Sequence, residues 1–163
     1  MCYILKENEI TPIQAEEDIP VLKIGYLRDG NFASVNRGTH YQFKKEKRVE
    51  KFWEGLRVSP FEKEYMTGPG LYSIETEDRA KAYLDDVIRF AQYAPVFRAR
   101  IFRGYIPKGS YYLKTDDGCY ISDRLVVINK TLDYYPKFSE KFWELNGEKI
   151  KPYVPENIIP RSE

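Results

Sequence analysis

Between Gly68 and Asn129 several independent local signals follow one another without a break, and this stretch narrows the folds open to the chain. Gly68-Pro69-Gly70 is a tight turn, and Leu71-Tyr72-Ser73-Ile74 reads as a short strand. Thr76 stands as an N-cap ahead of Glu77 and Asp78, whose carboxylates favour the positive end of a helix dipole. Ala80, Tyr83, Leu84, Val87, Ile88 and Ala91 then recur at helical spacing as one apolar stripe, with Asp85, Asp86, Arg89 and Gln92 opposite. Pro95 stops this helix, predicted over 77–92.

Beyond it, 96–102 alternates as a strand. Arg98, Arg100 and Arg103 are read onto one face, where guanidinium forks either meet phosphate or carboxylate or pair with Asp85 and Asp86. Pro107-Lys108-Gly109 is a turn, and 110–115 with 119–122 forms a hairpin across Asp116-Asp117-Gly118. Arg124-Leu125-Val126-Val127-Ile128 is apolar without alternation, the pattern of a strand buried on both faces.

The flanks supply further strands. Cys2-Tyr3-Ile4-Leu5 reads as an edge strand, and 21–27 with 31–35 as a hairpin through Asp29-Gly30, residues that tolerate positive φ. His40-Tyr41-Gln42-Phe43 reads as a short strand, with 49–52 returning as its partner across a charged turn. Residues 56–65 read as a loop or a single helical turn, given Pro60. A third hairpin is expected over 141–153 through Asn146-Gly147, followed by an extended tail marked by Pro152, Pro155 and Pro160. Lys-Phe-Trp-Glu occurs at 51–54 and again at 141–144, but the flanks differ and no internal repeat follows. The reading is one α+β domain over 1–163: a twisted, mostly antiparallel sheet with one main amphipathic helix. It has an acidic segment over 1–19 and a less regular C-terminal extension over 130–163.

Charge separates the function classes. The 26 Lys and Arg nearly balance the 25 Asp and Glu, which argues against a dedicated nucleic-acid binder. Residues 1–20 set Lys6 against Glu7, Glu9, Glu16, Glu17 and Asp18, a net of 1 − 5 = −4. Residues 44–51 set Lys44, Lys45, Lys47, Arg48 and Lys51 against Glu46 and Glu50, a net of 5 − 2 = +3. That basic run reads as a solvated turn, with contact to a phosphate or an acidic partner as its functional alternative. The 14 Tyr and 9 Phe suit a pleated core and also suit a binding surface.

Cys2 and Cys119 lack metal-ligand spacing and His40 is the single histidine, so no metal is expected. The N-terminus turns charged at Lys6, unlike a signal peptide, and no apolar run is long enough for a bilayer. A soluble cytoplasmic protein with reduced thiols and no membrane contact is the expectation. Walker, GxGxxG, GxSxG and HExxH patterns are absent. His40, beside Gly38-Thr39, reads as a turn residue before it reads as a base.

Gly70-Leu71-Tyr72-Ser73-Ile74 followed by Ala80 and Tyr83 resembles the Gly-Ile-Tyr-Phe strand and Ala-x-x-Tyr helix of ADP-ribosyltransferases. Ser122-Asp123-Arg124-Leu125-Val126-Val127 is similar to that family's strand bearing the catalytic glutamate, and Val21-Leu22-Lys23-Ile24-Gly25 falls where its first His-Gly strand lies. The layout also resembles small phage and gut-bacterial proteins with a Gly-x-x-Ser strand–helix unit and an Ile-Pro-Lys-Gly-Ser turn, here 106–110. Over roughly 20–130 the resemblance implies NAD as a possible cofactor and Asp123 as the catalytic carboxylate. Lys23, Tyr72, Ser73 and Tyr83 would then hold a nucleotide-like ligand, with Arg100 as a further ligand-binding group. The pattern departs from the family at two places. Lys23 replaces the histidine, and Asp123 is one methylene shorter than glutamate, where a shift of about 1 Å at a catalytic group costs about 100-fold. The expected function is therefore a non-catalytic binding module with a protein partner, of the phage accessory or anti-defence kind, on a degenerate transferase scaffold. An active ADP-ribosyltransferase and a nucleotide sensor or sponge are the alternatives.

Overall fold

The computed structural model describes residues 4–35, 39–55, 57–58, 65–66, 70–89, 97–136 and 138–154. Its strands are β1 (Ile4–Leu5), β2 (Ile13–Gln14), β3 (Ile19–Arg28), β4 (Asn31–Ser34), β5 (His40–Tyr41), β6 (Lys47–Arg48), β7 (Arg57–Val58), β8 (Tyr65–Met66) and β9 (Leu71–Ile74). After helix α1 (Glu77–Arg89) come β10 (Arg100–Ile106), β11 (Tyr111–Lys114), β12 (Cys119–Ser122), β13 (Arg124–Thr131) and a second helix, α2 (Glu140–Ile150). This is a single-domain α+β fold, and every pairing among the described residues is antiparallel.

Ten strands form the main sheet, in the order β2-β11-β12-β9-β3-β10-β13-β6, with β4 and β5 branching from β3. A small sheet, β1-β8-β7, stands beside it. β3 is the spine, because it pairs along its length with β10 and also meets β4 and β9. The β3–β4 hairpin turns at Asp29 and Gly30, both at positive φ as an Asp-Gly turn requires.

Strand alternation gives the sheet two apolar faces. Leu22, Ile24, Ile74 and Ile101 face α1 and pack on Ala80, Leu84 and Ile88, the buried part of the predicted stripe. Thr76 caps that helix by accepting the Arg79 backbone N–H at 3.2 Å. Val21, Phe32, Tyr41, Leu71, Phe102, Leu125 and Val127 form a second, aromatic cluster. Phe32 sits at its centre, with edge-on contacts to Tyr41 and Phe102. A third cluster, Leu5, Phe52, Leu113 and Ile121, carries the partly buried rings of Trp53 and Tyr72.

Several expectations need correction. Residues 140–150 are helical rather than a hairpin, because Ser139 caps the start by accepting the Phe142 N–H at 3.1 Å. Phe142 and Ile150, one helical face, pack around Phe97, and neither Asn146 nor Gly147 takes the positive φ that a tight Asn-Gly turn needs. The helix therefore outweighs the turn signal, and the less regular extension contains an ordered second helix. Residues 49–52 do not return to β5. The chain instead pairs β6 with β13, and Phe52–Gly55 forms a 3-10 turn. Within 56–65, two described residues form β7, which pairs with β8. The strand expected over 96–102 starts at Arg100, so the three arginines do not share one face. Cys119 is disulfide-bonded rather than a free thiol, and the other cysteine, Cys2, lies outside the described residues. The ends of the predicted helix (90–92), the turn at 68–69 and the tail beyond 154 also lie outside them. Among the described residues, no helix is long and apolar enough to cross a membrane.

Candidate ligand-binding cleft

At the junction of β12 and β13 the backbone ties three remote segments into one knot around Asp123. Its N–H donates to the Tyr111 carbonyl at 3.0 Å, and its own carbonyl accepts the Val49 N–H at 2.8 Å. Its side-chain Oδ1 accepts the Tyr111 N–H at 2.9 Å. These bonds bring the 48–53 segment against the start of β11. Between them lies a cleft of about 490 Å³, lined by Arg48, Val49, Glu50, Lys51, Trp53, Tyr111, Asp123 and Arg124. That volume falls within the roughly 300–1,000 Å³ typical of small-ligand sites.

The cleft has an aromatic wall and a cationic rim. Trp53 and Tyr111 meet with ring centroids 5.5 Å apart at 51°, and Trp53 is braced edge-on by the buried Phe52. Arg124 is held by donating to the Gly109 carbonyl at 2.8 Å, in a turn where Gly109 takes positive φ. A single carboxylate, Glu46, serves both Arg48 at 3.0 Å and Arg124 at 3.7 Å. One anion between two guanidiniums leaves the pair with surplus positive charge. Lys51 carries a backbone φ of 33°, unusual for a side-chain-bearing residue, and reaches Glu54 only at 3.8 Å. Strain of this kind concentrates at ligand clamps.

The sequence-predicted site residues fall into separate places. Asp123 is in the cleft, but its carboxylate already supports the backbone. Lys23, Tyr72 and Ser73 meet where β3 crosses β9: the Lys23 ammonium donates to the Tyr72 carbonyl and lies 5.3 Å from the Tyr41 ring centroid. Burial lowers the Lys23 pKa to about 7. Among the described residues the buried Ser73 hydroxyl has no hydrogen-bond partner. Lys23 and Ser73 are 6 % and 2 % exposed, which places them inside the sheet rather than on a surface a substrate reaches. The Tyr72 ring packs on the cluster that also supports Trp53. Tyr83 packs beside the α1 core.

The strand arginines also disperse. Arg100 donates to the Ala99 and Tyr153 carbonyls and stacks over Tyr135 at 4.4 Å. Arg98 lies over Tyr26 and Tyr153, and Arg103 faces Glu77 at 3.7 Å. Asp85 and Asp86 do not pair with them. Asp85 accepts the Tyr134 hydroxyl at 2.8 Å, and Asp86 lies 3.9 Å from Arg89. Burial first, then this bond to Asp85, pushes the Tyr134 phenol up to about 12. His40 is exposed on β5, and its carbonyl accepts from Lys47 at 2.8 Å.

Trp53, Tyr111 and Arg124 are the cleft residues that sequence reasoning missed, while Arg48 and Lys51 belong to the basic run for which contact to a phosphate or an acidic partner was the alternative reading. The signal was that run, over 44–51, ending directly on Phe52-Trp53. Among the described residues no cluster of His, Cys, Asp or Glu is arranged to hold a metal. Compared with family models, curated proteins and solved structures, the chain has no match.

Proposed function

We propose that this protein is a non-catalytic binding module whose recognition surface is the cleft around Trp53, Tyr111 and Arg124. The observation that carries the reading is the employment of Asp123. Its Oδ1 is bonded to the Tyr111 N–H, so the one carboxylate expected to do chemistry serves as a structural tie. Lys23, its expected companion, is enclosed in the sheet and is not among the residues lining the cleft. The cleft offers an aromatic wall and fixed cations, groups that bind, with no base–nucleophile pair among its lining side chains.

Incubating the protein with labelled NAD and a cell lysate tests this directly. The reading expects no label on any macromolecule. It also expects a lysate component to be retained on the immobilised protein and lost in Trp53→Ala. Label transfer that disappears in Asp123→Ala would establish the transferase alternative and overturn the binding-module reading.

A further inference from the structure

Resting on the binding-module reading, the geometry points to a nucleoside 5′-monophosphate as the ligand class of the cleft. Three kinds of group meet there, and each selects a different part of such a molecule. Trp53 and Tyr111 meet as tilted rings in the lining, and aromatic surface of this kind stacks a planar base with tolerance of base identity. Arg48, Lys51 and Arg124 bring three cations, and the forked guanidiniums match phosphate oxygens in pairs. Arg124 has one nitrogen fixed on the Gly109 carbonyl, so its other donors are already oriented.

Asp123 supplies the third preference. Among the described residues only its Oδ1 is engaged, which leaves Oδ2 as an acceptor in a cleft otherwise rich in donors. A carboxylate there repels a second phosphate but accepts hydroxyl donors, as acidic residues do from ribose. Against the three cations stand Glu50 and Asp123 in the lining and Glu46 between Arg48 and Arg124, a net of 3 − 3 = 0. A site without surplus charge disfavours the four charges of a triphosphate more than the smaller charge of a monophosphate. A free phosphate ion lacks the ring, and a nucleoside lacks the anion, so neither satisfies the whole lining.

The test is tryptophan fluorescence in a Trp143→Phe background, where Trp53 is the remaining indole, titrated with adenosine 5′-monophosphate, adenosine, inorganic phosphate and NAD. Calorimetry on the unmodified chain repeats the comparison without that substitution. The monophosphate is expected to saturate the signal at least tenfold more tightly than adenosine or phosphate, and to weaken as salt rises. Arg48→Ala with Lys51→Ala removes two mostly exposed side chains, so the fold is retained. The pair is expected to cut monophosphate affinity at least tenfold and leave adenosine unchanged. Equal binding of adenosine and its monophosphate, or no saturation by either, overturns the assignment. If lysate retention still depends on Trp53 in that case, only the ligand class falls. If retention is also absent, the binding-module reading falls with it.

Discussion

Lys23 gives the sharpest prediction, because a buried amine records its environment in the pH dependence of folding. The amine titrates near 10.5 in the unfolded chain and at about 7 in the folded one, since burial disfavours the charged form. Between those values the unfolded state binds more protons than the native state, so stability rises with pH across the window. Below about 7 both states are protonated and the cost of enclosing the charge is complete. Each unit is worth about 1.4 kcal/mol, so the gap of about 3.5 units sets a ceiling of about 5 kcal/mol. The Tyr41 and Tyr134 phenols are both raised, mainly by burial, and oppose the trend only as pH passes the ordinary tyrosine value of about 10. Urea unfolding at pH 6.5, 7.5, 8.5 and 9.5 therefore isolates Lys23. The native chain should gain about 2–3 kcal/mol from pH 7.5 to 9.5. Lys23→Met removes the Lys23 hydrogen bond to the Tyr72 carbonyl, at about 1 kcal/mol, but also removes the buried charge. It should be flatter with pH and more stable than the native chain at pH 6.5. Parallel profiles for the two proteins would refute the reasoning.

Leu84 is fully enclosed at the centre of the α1 contact, and Leu84→Ala should cost about 2–5 kcal/mol in urea unfolding. Asp123→Asn keeps an acceptor for the Tyr111 N–H and should change stability by less than about 1 kcal/mol, whereas Asp123→Ala should cost about 1–3 kcal/mol. Equal losses in the two variants would remove the structural role given to that carboxylate. Unfolding without reductant should leave Cys119 unreactive toward an alkylating reagent, because its sulfur is bonded; alkylation of Cys119 without reductant would contradict it.

What the sequence makes legible is local. The α1 stripe, its Thr76 cap, the Asp29-Gly30 hairpin and the buried β13 run each depend on residues within a few positions of one another, and each appears in the structure. The 141–153 reading failed because two local signals competed. Asn146-Gly147 favours a turn, but Ser139 and the Phe142–Ile150 face favour a helix, and packing on Phe97 decides between them. The cleft was not legible for a different reason. Its residues come from 48–53, Tyr111 and 123–124, segments remote in sequence that meet through the β6–β13 pairing, the Val49–Asp123 and Tyr111–Asp123 backbone bonds and the Trp53–Tyr111 ring contact. Lys23 illustrates the converse: strand alternation locates it, but its enclosure depends on β9 and Tyr41 closing over it.

The cleft itself is tested most directly by following backbone amides and indole N–H groups by nuclear magnetic resonance while adenosine 5′-monophosphate is added. The account predicts saturable shifts at the Trp53 indole and at the Lys51, Tyr111 and Arg124 amides, with Lys23, Tyr83 and Arg100 unmoved. Shifts centred on Lys23, Ser73 and Tyr83 with Trp53 unmoved would contradict it, as would a titration that moves nothing.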